Sequence, residues 1–471
     1  MKPFKSIAMK RFIAETEPVL SLSHNRFAPS MCTILLSFLL LAPPAASAQK
    51  RWTLQECAQY ATENNIEVKQ QMLQVENAEI ELNTNRNRRL PDLSAGASQS
   101  LNFGRSPSMA TGIYEQNTSS GTGFSLSSSV PIYSGSRISN EVKNSELNLK
   151  AAIEGGNRAK ENLSLNVAAF YLDVLFKKEI LKVCIEQCAL TSKQVERTAI
   201  MVEEGKVSLS QVYDIKAQLA KEETNRTQAQ NQLSQSLLDL AQLLNLSDFT
   251  HFDILEPEHI ESFEIDYIQN PDRVYESALE YKPLIKEATY RLESSEMGVR
   301  LAKSLFLPSV SLGFSYSNGF NYLFGSNVTN NPISSQFSNN GREAVGLNIS
   351  IPIFSRFQTR NQLRSARLNV EARTLDLNNA KIGLHKEIQQ AYLSAVSAQA
   401  KYRSTEKALE AAMEAFKYAE ERYYLQMISA YEYSEAQTKL YSSRSEQVQA
   451  KYDFIFRVKI LDFYRGVEIA L

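Results

Sequence analysis

Leu90-Pro91-Asp92-Leu93-Ser94-Ala95-Gly96 returns in the second half of the chain as Leu307-Pro308-Ser309-Val310-Ser311-Leu312-Gly313. Val130-Pro131-Ile132-Tyr133-Ser134 returns in the same order as Ile351-Pro352-Ile353-Phe354-Ser355. Solenoid units recur every ~20–50 residues, so a recurrence at nearly half the chain length marks a duplicated half-protein. Each proline motif stands where a long helical pattern meets a short alternating one. Each half therefore carries two kinds of surface.

Outward from these motifs, no proline occurs from Ser136 to Glu204 or from Phe357 to Leu425. A helix of that length reaches about 100 Å at a rise of about 1.5 Å per residue. The second stretch carries a seam of 18 positions from Leu363 to Tyr423 in steps of three and four, all but Arg373 and Thr405 apolar. The mean step is about 3.5 residues, the coiled-coil period. The equivalent positions of the first half, Val142 to Val202, keep the same register, with many Ala, Gly, Ser and Thr that let helix backbones approach. Cys184 and Cys188 fall on this seam, which accounts for their spacing without a metal or redox site. Helical patterns from Leu54 to Arg86 and Asp272 to Leu305 precede the alternating segments. Two more, Leu209 to Leu246 and Ala430 to Tyr464, follow the long helices.

After each Leu-Pro the period changes to two. Leu93, Ala95, Ala97, Leu101 and Phe103 alternate with Ser94, Gly96, Ser98, Ser100 and Asn102, and three further segments, around Phe124, Phe314 and Leu347, do the same. Strands of about 9–12 residues cross a bilayer when tilted. Their polar face is Ser and Gly, which suits the wall of a water-filled lumen; a soluble sheet would show charge there. The connections, from about Arg105 to Gly121 and Asn318 to Arg342, read as loops, and Tyr133 and Phe354 as anchors at the inner interface. Four strands cannot close a barrel, and open edges are not tolerated in lipid. Several chains must share one barrel, their number left open by this argument.

The remainder of the chain excludes other classes. Five basic residues precede the apolar run Ile34 to Leu41, and Ala46-Ser47-Ala48 offers a cleavage site, so residues 1–48 read as a signal peptide. Without them Lys+Arg is 46 and Asp+Glu 50, a net charge of −4, which gives no case for nucleic-acid binding. Three cysteines remain, with no CxxC, and the histidines lack metal-ligand spacing. No phosphate loop or catalytic cluster is present, so neither an enzyme nor a cofactor is expected.

Both Leu-Pro-x-x-Ser-x-Gly motifs, both Pro-Ile-aromatic-Ser motifs and two helix-turn segments, Gly205 to Gln218 and Tyr423 to Gln437, make the chain resemble the outer-membrane efflux protein (TolC-like) family from Trp52 to Gly466. The resemblance implies an α+β membrane protein: long helices forming a periplasmic α-barrel, and four transmembrane strands per chain in a 12-stranded β-barrel shared by a homotrimer. It implies a first repeat at 49–250, an equatorial segment at 251–271 and a second repeat at 272–471. It further implies an exit duct in the outer-membrane lipid, serving a periplasmic adaptor and, through it, an inner-membrane transporter of an efflux pump or type I secretion system. The tip turns would dock the adaptor through Gly205, Val207, Ser208 and Leu209 and through Gln426, Met427, Ile428 and Ser429. Glu432 and Glu435 fall on the positions of the acidic constriction, with Tyr423 and Gln211 in the latch, where a Tyr423–Gln211 hydrogen bond is expected. The alternative for the two glutamates is a solvated helix start favoured by the macrodipole. The chain departs from the family pattern at Gln426, where Gly is usual, at Gln211, often Asp, and at Ile428, which can be Arg. The rival to the duct is a periplasmic coiled-coil adaptor or rod; that would have one hairpin rather than a duplicated strand-helix unit.

Overall fold

The computed structural model describes residues 51–107, 112–246, 251–257, 270–324 and 329–467. The leader and most of the equatorial segment lie outside them. The order is β1 (Arg51–Trp52), α1 (Leu54–Asn64), α2 (Ile66–Asn87), β2 (Ser94–Pro107), β3 (Tyr114–Tyr133), α3 (Arg137–Glu203), α4 (Leu209–Leu243) and β4 (Asp253–Ile254) in the first half. The second continues with α5 (Pro271–Tyr281), α6 (Pro283–Ser304), β5 (Ser309–Phe324), α7 (Ile333–Asn339), β6 (Arg342–Ser350), α8 (Gln358–Tyr424) and α9 (Ala430–Tyr464).

The duplication extends to helix length. Each half has helices of 11, 22, 67 and 35 residues in that order. The expected single helices Leu54–Arg86 and Asp272–Leu305 are each two, broken at equivalent places. Asn65 is extended and its side chain caps α2 through the Glu67 N–H. Lys282 is extended because Pro283 follows it and disfavours the helical region. The turns into the long helices also correspond. Gly135 and Ser136 in one half, and Arg356 and Phe357 in the other, have positive φ. A side chain at Gly135 would come within 2.8 Å of the Ser304 carbonyl, so only glycine fits there.

The seam faces inward along its whole length. In α8 no seam position is exposed, and in α3 only Phe170 is. Near the strands α2, α3, α6 and α8 lie side by side; further away the order is α4, α3, α9, α8. At the waist Cys57, Ala61, Val68, Leu163 and Val167 pack together in the first half. Their equivalents Val274, Ala278, Ile285, Leu384 and Ile388 form the second core. Beside the first, β1 pairs parallel to β4, and the Tyr171 hydroxyl donates to the Trp52 and Leu255 carbonyls.

The four long strands form one antiparallel sheet, β2-β3-β5-β6. They run 14, 20, 16 and 9 residues, so three are longer than expected. Part of the composition read as loop, Ser119 and Gly121 in β3 and Gly319 and Asn321 in β5, is the small face of continuing strands; the rest lies in and around α7. Register sorts the two faces. Leu126 lies opposite Ala95 and Tyr316, Val130 opposite Leu312, and Phe314 opposite Val345. The other face aligns Ser98 with Gly123 and Gly319, Gly96 with Ser125 and Ser317, and Ser129 with Gly313 and Gly346. Among the described residues no helix is long and apolar enough to span a membrane.

Candidate functional site at the helical tip

The turns α3–α4 and α8–α9 lie at the end of the helices remote from the sheet, and both are built the same way. The Gly205 N–H donates to the Val202 carbonyl and Lys206 N–H to Met201; Gln426 N–H donates to Tyr423 and Met427 N–H to Arg422. Both Gly205 and Gln426 have positive φ, 72° and 58°. This is the paired-bond helix stop that favours glycine. Gln426 thus makes the same turn with a side chain that glycine would spare.

Past the turns the halves differ. Ser429 and Glu432 form a capping box: the Glu432 N–H donates to Ser429 Oγ, and Ser429 N–H donates to Glu432 Oε2 at 2.9 Å. Ser208 caps α4 without a side-chain bond. Both glutamates are exposed, but the Glu432 carboxylate is engaged by its own helix start, whereas Glu435, one turn on, takes no part in the cap. Leu209, Leu425 and Met427 are exposed apolar side chains at the tip, while Val207 and Ile428 are half-buried and Ser208 and Ser429 sit at the helix starts.

Tyr423 is not bonded to Gln211. Its ring turns into an apolar cluster with Ile215, Ala430 and Tyr433, flanked by Val195, Phe416 and Ile428. The Tyr423 and Tyr433 rings are 4.8 Å apart, and the Tyr423 hydroxyl is buried without a partner. Packing against Tyr433 takes the ring away from a polar latch. The cluster still draws α3, α4, α8 and α9 together, so both turns share one apolar joint. Burial pushes the Tyr433 hydroxyl well above the ordinary tyrosine range.

A second cross-link is not announced by any of the motifs. The Arg197 guanidinium of α3 lies over the Tyr424 ring at 4.1 Å, and the Tyr424 hydroxyl donates to Glu420 Oε1 at 2.9 Å. Its one trace in the sequence is the spacing of four between Glu420 and Tyr424, which puts both on one helix face beside the end of α3. Among the described residues no group of His, Cys, Asp or Glu could hold a metal.

The sequence profile described as outer membrane efflux protein matches residues 57–246 and 274–461, one segment per half. Outer membrane protein TolC of Escherichia coli is 22% identical over 298 residues, which are 63% of this chain and 59% of that protein. TolC of Vibrio cholerae is 22% identical over 300 residues, 64% of this chain and 66% of that protein. The match thus spans less than two thirds of either relative. The Campylobacter jejuni CmeC outer membrane channel superimposes with a TM-score of 0.71 at 20% identity, covering 89% of this chain and 87% of that one.

Proposed function

The chain belongs to the outer membrane efflux protein family, and from that premise we propose that it works as a homotrimeric exit duct. Its strands lie in the outer membrane and its helices in the periplasm. An adaptor grips the tip and an inner-membrane transporter supplies the energy, while the duct itself performs no chemistry.

One observation carries this reading: the chain is open on two edges, and they complement each other. The sheet ends on β2 and β6, and among the described residues each is unpaired on its outer side. The helix wall beside it ends on α2 and α8. Ile66, Leu73 and Ile80 of α2 recur at heptad spacing, as do Leu368, Leu375 and Ile382 of α8, and all six are 58–68% exposed. Counted from the sheet end, the stripes are offset by about three residues, about 5 Å along a helix. Within the chain the equivalent junction, α3 against α6, is filled: the Ser294 hydroxyl lies within 2.8 Å of both the Asn144 and Asn148 amide oxygens, and Arg158 pairs with Glu287 at 3.3 Å. Repeating that junction between copies gives a closed ring, and three copies of a four-stranded sheet give 12 strands. Heat-resistant trimers in outer-membrane fractions support the duct; purification as a detergent-free monomer rejects it.

For the constriction, the free carboxylates of three Glu435 residues favour cations in a narrow pore. Planar-bilayer recordings of Glu435→Gln should show reduced cation selectivity, with a smaller change for Glu432→Gln because that carboxylate caps α9. Equal selectivity in Glu435→Gln and the parent removes Glu435 from the constriction.

A further inference from the structure

We propose that α7 is a lipid anchor, a short helix that seats Ile333 and Phe337 in the outer-leaflet interface beside the barrel rim. This rests on the membrane reading of the sheet given above.

β6 pairs with β5 only from Ser309 to Ser317. Beyond that, the β5 edge has no strand beside it among the described residues, and side-chain amides take the place of one. The Asn330 amide bonds the N–H and carbonyl of Leu323, both at 2.8 Å. Gln336 does the same for Asn321, at 2.9 and 3.0 Å. Asn340 donates to the Gly319 carbonyl at 2.6 Å. The edge is thereby satisfied at Gly319, Asn321 and Leu323.

These bonds fix α7 on one side of the sheet. The Asn318 amide, nearly buried, donates to the Phe337 carbonyl at 2.8 Å, and the Phe337 ring packs on Phe124 with centroids 6.3 Å apart. Phe124 and Asn318 are opposite one another on the apolar face of the sheet, the face away from the Ser and Gly lumen. Ile333 and Phe337, one helical turn apart, are 54% and 48% exposed there, while Ser334, Ser338 and Asn339 occupy the other side of the helix. The height agrees. The span from Pro308 to Asn318 climbs about 33 Å of strand, or about 25 Å vertically at the usual tilt, which is the height of the apolar band of such barrels. α7 therefore sits where hydrocarbon meets headgroups, with two apolar side chains, Ile333 and Phe337, among uncharged polar ones.

The chain has one tryptophan, Trp52, packed at the waist against Tyr60 and Phe252. Trimers carrying Phe337→Trp, Ile333→Trp or, at mid-strand, Phe314→Trp would be reconstituted in phosphatidylcholine vesicles with brominated acyl chains. The emission added by Trp at 337 and at 333 should be lost, most strongly with bromine near the headgroup; Trp at 314 should be lost with bromine near the chain end. Quenching at 314 but at neither 337 nor 333, with heat-resistant trimers retained, overturns the anchor and leaves the duct standing. No quenching at any of the three rejects the membrane reading itself.

Discussion

Lys282 holds the place in the second half that Asn65 holds in the first, and the exchange of an amide for an ammonium creates a joint. Its side chain is 5% exposed; Nζ lies 3.3 Å from Glu161 Oε2 and 3.5 Å from the centre of the Phe463 ring. Burial pushes Lys282 below the ordinary lysine range and Glu161 above the carboxylate range, with their mutual attraction opposing both. Burial likewise raises the adjacent Tyr281 hydroxyl to about 12. Glu161→Ala should therefore cost roughly 2–4 kcal/mol by stranding a buried cation, while Glu161→Gln with Lys282→Met should cost less. Thermal unfolding followed by circular dichroism measures both. Gln426→Gly should stabilise by about 1 kcal/mol, since glycine takes positive φ without strain; chemical denaturation of the helical part would read it. At this scale much of the tip is legible in the sequence. The turn residues follow from the matched motifs, and Ser429-x-x-Glu432 is a capping-box pattern. The absence of a Tyr423–Gln211 bond is not legible, because nothing local shows that Tyr433 offers the ring a better contact.

Among elements, the long helices and their register are open to reading because one unbroken seam runs almost from end to end of each. The breaks at Asn65 and Lys282 are hidden because the apolar pattern runs on across them; only the Lys-Pro step marks the second. The strand ends are obscured for a related reason: Ser and Gly belong equally to loops and to the wall of a narrow lumen. α7 has only seven residues, too few for a periodic signal, and its hold on β5 is made by amides that composition alone would give to a loop. The internal repeat also fixes how neighbouring copies should pair. Transferring the β3–β5 register through the repeat, β6 standing for β3 and β2 for β5, sets Val345 opposite Leu101 of the next copy. Ile349 then lies opposite Ala97 and Asn348 opposite Ser98, which keeps like faces together. Oxidation of Ser98→Cys with Asn348→Cys should link chains into covalent trimers on denaturing gels. Pairing of Asn348→Cys with Ser100→Cys or Gly96→Cys in preference would mean that the register slips.

For the whole molecule, the tip and the sheet are about 100 Å apart along the helices, so docking and membrane insertion can be perturbed separately. Ser208→Arg is the cleaner probe of docking, since Ser208 makes no side-chain cap whereas Ser429 does. Export should fail while heat-resistant trimers persist; export at the parental level would remove the tip from the docking surface. The unpaired outer sides of β2 and β6 have a consequence for biogenesis. One chain's sheet cannot enter hydrocarbon with two bare edges, so insertion waits for encounters between chains. The rate of appearance in the membrane should then rise more steeply than in proportion to the amount synthesised. A slowly expressed chain would dwell in the periplasm with sticky edges exposed, and chaperone supply, more than intrinsic folding speed, would set its yield.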